Sequence, residues 1–94
     1  MKSKTAPVSQ EVTILNERGL HARAAAKVAR LASQYKSNID VARAGTNVPA
    51  ASLMGLLMLG ASKGTAITIT AQGDDAPQAL ANLVALIERK FDEE

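Results

Sequence analysis

The chain has 94 residues, a net charge of +2 and no cysteine; 47% of it is apolar but only 2% aromatic. That length supports one domain with a modest aliphatic core, and leaves no room for a deep cavity around a large organic cofactor. Disulfides and thiolate metal sites are excluded.

Residues 1–9 carry Lys2, Lys4 and Pro7 without periodicity and read as a flexible N-terminal tail, with a single domain over residues 10–94. The opening residues lack the apolar stretch of a secretory signal, and the longest apolar run, residues 53–59, is broken by Gly55 and too short to span a bilayer. The expected location is the cytoplasm. Residues 11–15 alternate as a first strand with Val12 and Ile14 inward, and residues 16–19 form a turn. Residues 22–34 are alanine-rich and helical. Ala24, Val28, Leu31, Ala32 and Tyr35 form the apolar stripe, with Arg23, Lys27 and Arg30 off it.

Ile39 and Val41 mark a second strand, Gly45 a hairpin turn, and residues 46–48 a short third strand ended by Pro49. Ser52 is placed to cap a short helix beginning at Leu53. Residues 65–71 alternate most cleanly of all, with Ile67 and Ile69 inward. Asp75 is the expected N-cap of a last helix whose buried face is Leu80, Leu83, Val84, Ile87 and Phe91. The order βαββαβα predicts an α+β open-faced sandwich: a four-stranded antiparallel sheet with helices on one face.

Charge is unevenly spread. Residues 1–47 carry eight Lys or Arg against three acids (+5), and residues 48–94 carry three against six (−3). The basic half holds the only histidine, His21, which suggests an anionic ligand or an acidic partner. Gly19 frees the backbone to turn and the helical pattern begins directly after His21, so the imidazole stands at a helix N-terminus. The first amides of a helix lack intrahelical acceptors and favour a dianion. Arg23 is close enough in sequence to bring a guanidinium to the same group. A neutral imidazole is a competent nucleophile toward phosphorus, and the ordinary imidazole pKa of roughly 6.5 leaves it mostly neutral in a cell. The helix end would stabilise the product by about 0.3–1 kcal/mol, and each well-formed charge-assisted hydrogen bond by about 1.5–3 kcal/mol. So weak a hold suits a group that must be passed on. No acidic residue adjoins His21 in sequence, and with no second histidine there is no metal-ligand set.

Two segments then carry a resemblance. Gly19-Leu20-His21-Ala22-Arg23-Ala24-Ala25 resembles the active-site signature of the HPr family, the histidine-containing phosphocarriers of the bacterial phosphoenolpyruvate-dependent sugar phosphotransferase system. Ala51-Ser52-Leu53-Met54-Gly55-Leu56-Leu57-Met58-Leu59-Gly60 resembles the family's regulatory-serine segment, at the family's spacing. The resemblance implies that His21 takes a phosphoryl group on Nδ1 from phospho-enzyme I and passes it to IIA components of sugar permeases. It implies that Arg23 steadies that group and that Ser52 is a regulatory phosphorylation site for an HPr kinase/phosphorylase. Leu53, Met54 and Leu57 would dock partners, with Ala22 and Lys27 on the same surface. It further implies a stoichiometric carrier and not an enzyme, a monomer that needs no cofactor or metal and does not enter membranes.

The apolar helix supports docking on its own account, since one turn cannot bury all of Leu53, Met54, Leu56, Leu57 and Met58. Ala24 departs from the proline common in the family and Ala51 from a common lysine. Alanine still starts a helix well; the lost lysine bears on kinase recognition. Two other readings share these data. One is the nitrogen-branch paralogue, with the same chemistry and a regulatory output. The other is a small basic RNA-binding α+β domain, which would need exposed aromatic side chains to stack bases. Tyr35 and Phe91 are the only aromatics, and both fall on predicted buried faces.

Overall fold

A computed structural model describes residues 6–93. The elements are β1 (Val8–Thr13), α1 (Ala22–Ala32), β2 (Asn38–Arg43), β3 (Thr46–Pro49), α2 (Leu53–Met58), β4 (Ala66–Gln72) and α3 (Ala76–Glu88), with a 3₁₀ turn over Lys90–Asp92. The four strands form one antiparallel sheet in the order β1-β4-β2-β3. This is the open-faced sandwich that the order of elements predicts.

Period-2 patterning explains the two faces. Val12, Ile39, Val41, Ile67, Ile69 and Ala71 are buried, while Thr68, Thr70 and Asp40 between them remain partly accessible. The inward set meets Ala24, Ala25 and Val28 of α1, Leu56 of α2, and Leu80, Leu83, Val84 and Ile87 of α3 in one core. Small side chains on α1 let it pack closely against α2 and α3. Within α2, Gly55 serves the same end: a Cβ there would stand 2.9 Å from Val48 Cβ, so only glycine lets α2 settle onto β3.

Three boundaries differ from expectation. The first strand begins at Val8, not residue 11: Val8 and Ser9 pair with Ala71 and Thr70, and sheet pairing overrides their weak local pattern. Of the tail expected over residues 1–9, Val8 and Ser9 belong to β1, and residues 1–5 lie outside the described residues. The first helix closes at Ala32, leaving Tyr35 half-buried in the following turn. Phe91 is buried as expected, but in the 3₁₀ turn beyond α3 and not on the helix.

Asp75 sits at the N-cap position of α3 yet makes no capping bond. Its carboxylate reaches across to the start of β2 instead. It accepts from the Lys36 and Ser37 amides at 2.9 and 3.0 Å and from Ser37 Oγ at 2.5 Å. Those bonds, led by the Ser37 hydroxyl, hold the Asp75 carboxyl below its ordinary value of 3.8. A depressed folded-state pKa stabilises the fold above the unfolded value and ceases to do so as pH falls through the folded one. Asp75→Asn should therefore lower the denaturant midpoint at pH 7. The gap from the parent protein should close as the pH is taken below 3.8. A gap that stays constant from pH 7 to pH 2 would show that ionisation of Asp75 is not the cause.

Candidate functional site

The site is built where the loop after β1 turns into α1. Gly19 has φ +67°, and a Cβ on it would meet Ala61 O at 2.6 Å and Ser62 Cα at 2.9 Å. Glycine is therefore required twice, for conformation and for space. The close approach lets the Leu20 amide donate to Ala61 O at 2.9 Å. Leu20 is buried, which anchors the next residue at the surface.

That residue is His21, in extended conformation at the N-cap of α1. Its Nδ1 accepts from the Arg23 amide at 3.3 Å, doing with a ring nitrogen what serine or aspartate usually does with oxygen. The side chain is 20% exposed. The sequence-based placement of the imidazole at the opening turn of the helix thus agrees with the structure, with Nδ1 aimed at the first-turn amides.

Nε2 has a partner that sequence reading missed. It meets Glu93 Oε2, a contact spanning 72 residues of chain. Glu93 Oε1 accepts from Asn16 Nδ2 at 3.0 Å, and the same amide donates to Gly19 O at 2.9 Å. Asn16 is the one buried polar side chain among the described residues. These bonds tie the β1–α1 loop to the segment after α3. Hydrogen bonds from His21 and then Asn16, with the charge of Arg18, hold the Glu93 carboxyl below its ordinary value against the opposing effect of burial.

Beside the ring, Glu17, Arg18, Arg23, Lys27, Asp92 and Glu93 line an open cleft of about 320 Å³. Arg23 is exposed there. Lys27 is turned toward the segment after α3 and donates to Phe91 O at 2.6 Å. Ala22 is exposed at the helix start. Among the described residues no group of three or more His, Asp or Glu could hold a metal ion, and no helix is long and apolar enough to cross a membrane.

Ser52 caps α2, its Oγ accepting from the Gly55 amide at 3.0 Å. Leu53, Met54 and Met58 project outward, Met54 and Met58 at 67% and 76% exposure, while Leu56 is fully buried and Leu57 half-buried. The helix thus divides cleanly between core and surface. α1 and α2 pack together, so this apolar patch and the imidazole belong to adjoining elements. Leu15, two residues beyond β1, is also exposed and continues the alternation of Val12, Thr13 and Ile14.

The chain is thus a small α+β sandwich that presents its one histidine at the first turn of a helix. The family profile described as "PTS HPr component phosphorylation site" matches residues 8–89, and the chain belongs to the HPr phosphocarrier family. It is 45% identical over 86 residues to "Phosphocarrier protein NPr" of Shewanella violacea, covering 92% of this chain and 94% of that protein. It is 41% identical over 86 residues to "Phosphocarrier protein HPr" of Cupriavidus necator, covering 92% and 97%. Among solved structures, HPr-C-His from Thermoanaerobacter tengcongensis superposes with a TM-score of 0.89 at 42% identity, covering 93% of this chain and 98% of that one.

Proposed function

We propose that this protein carries a phosphoryl group on His21 Nδ1, accepting it from phospho-enzyme I and passing it to IIA components of sugar permeases. The observation that carries the reading is the contact of Nδ1 with the Arg23 amide at the start of α1. That nitrogen has its lone pair directed where helix-end N–H groups can receive the oxygens of an incoming phosphoryl group. In the transfer the donor's bond to phosphorus breaks as the Nδ1–P bond forms. The exposed Arg23 guanidinium can swing onto the new dianion from the cleft side. Water-exposed donors hold it weakly, so onward transfer is not penalised by a deep well. The protein serves as a stoichiometric relay and turns over no substrate of its own.

Leu53, Met54 and Leu57 are the docking surface in this reading, with Met58 added by its exposure and Ala22 beside the imidazole. Lys27 contributes by bracing the segment that borders the cleft. Ser52 is the regulatory site: a phosphate there would put about two negative charges at the edge of that surface. An acidic partner would be repelled with no change of fold.

A second reading, the nitrogen branch, is favoured by the 45% identity to the protein named NPr. One experiment addresses both. The purified protein is incubated with phosphoenolpyruvate and either sugar-branch or nitrogen-branch enzyme I, and phosphohistidine is read by mass spectrometry. Addition of one phosphoryl group at His21 with the sugar-type donor is expected. Labelling by the nitrogen-type donor alone would replace the first reading with the second, and labelling by neither would overturn both.

A further inference from the structure

Beyond α3 the backbone does something costly. Lys90, Phe91 and Asp92 have φ of +60°, +56° and +61°, and none is glycine. A Cβ makes the left-handed region unfavourable, and runs of such residues persist only where their surroundings over-determine them. Here the Phe91 ring is sealed in the core, Lys27 Nζ holds the Phe91 carbonyl, and Arg89 Nε binds Asp92 Oδ1 at 2.9 Å. The product of all this restraint is the position of the next side chain, Glu93, against His21 Nε2.

We infer that Glu93 is a positioning residue for His21: its carboxylate keeps the ring proton on Nε2, leaves the lone pair on Nδ1, and serves as counter-ion when Nδ1 takes a phosphoryl group. The inference rests on the phosphocarrier reading above. Two separate contacts require the same tautomer. An ionised carboxylate can only accept, so Nε2 must donate to it; the Arg23 amide can only donate, so Nδ1 must accept. Asn16 fixes the second carboxylate oxygen, which sets the plane of the carboxylate and with it the ring. The lowered pKa of Glu93 agrees with its being ionised.

During transfer the donor's bond to phosphorus breaks and the Nδ1 lone pair forms the new P–N bond. The ring then carries a positive charge shared between Nδ1 and Nε2–H, which Glu93 balances. On delivery the P–N pair returns to Nδ1 and the ring is neutral again. No proton leaves Nε2 in either direction, so the same carboxylate serves loading and unloading.

The test uses the whole protein, Glu93→Gln and Glu93→Ala, each checked for fold by circular dichroism. Imidazole ¹⁵N spectra, recorded at a pH where the ring is neutral, report the tautomer without any phosphorylation. Single-turnover transfer from phospho-enzyme I reports the rate. The parent protein and Glu93→Gln, which keeps an acceptor oxygen, should show the Nε2–H form alone. Glu93→Ala should show a mixture of tautomers. Both variants lose the counter-ion and should transfer more slowly, by about 10–100-fold if Glu93 acts as carboxylates do behind metal-bound histidines. The inference is overturned by a tautomer population in Glu93→Ala equal to the parent's, whether mixed in both or pure in both, or by unchanged transfer rates in the variants even with a changed tautomer. Failure of the parent protein to take up phosphate would refute the phosphocarrier reading and the counter-ion role with it; the spectra would still decide whether Glu93 sets the tautomer.

Discussion

His21→Ala should take up no acid-labile phosphate from phosphoenolpyruvate and enzyme I while remaining folded. Alanine supplies no nucleophile, and no other histidine exists in the chain. The structural cost is bearable. The substitution removes two contacts: the long cap from Nδ1 to the Arg23 amide, about 0.5–1 kcal/mol for an N-cap, and the pair of Nε2 with Glu93, whose carboxylate keeps its bond from Asn16. Both stand against a domain stability of about 5–15 kcal/mol. Leu20, buried one residue earlier and bonded to Ala61, still fixes the entry to α1. Phosphate incorporation and a urea melt on the same preparation check both halves. Retention of acid-labile label by the variant would sink the assignment of His21.

Phe91→Ala should cause the largest loss of stability of any single truncation outside the helices and strands, about 3–5 kcal/mol. Its ring is fully buried and is the largest such side chain in the molecule's described residues. For a domain of this size that is a fall in melting temperature on the order of 15 °C or more. The loss extends beyond the cavity. Without the ring nothing in the core holds the left-handed run at residues 90–92, so the strap can relax and Glu93 can leave His21. Calorimetry measures the first effect and the ¹⁵N tautomer spectrum the second. A loss below about 1 kcal/mol would mean that the ring is dispensable and that Lys27 and the Arg89–Asp92 pair hold the segment without it.

The helical and strand periods were readable because they are local: alternation around Ile67 and Ile69, and the alanine stripe of α1, need no knowledge of their partners. The position of His21 was readable for the same reason, since Gly19 and the first helical residues lie within four positions of it. Glu93 was not, because nothing in the sequence near His21 points to a carboxylate 72 residues away. One signal was available. Phe91 is a lone aromatic between Lys90 and Asp92, and a ring in so charged a stretch is readily explained if the chain turns back to bury it. Such a turn carries the acids on either side toward the body of the domain. The capping role expected of Asp75 failed for a similar reason: the carboxylate found three donors at the start of β2, a neighbourhood that only the folded sheet creates.

The strand order carries a consequence for how the molecule is made. β4 lies between β1 and β2, so during synthesis the first strand has no hydrogen-bonding neighbour until residues 66–71 of 94 have emerged. Before that only the β2–β3 hairpin can close. Assembly is therefore late and concerted, paced by a strand insertion across more than fifty residues of intervening chain, and slower than in a helical domain of equal length.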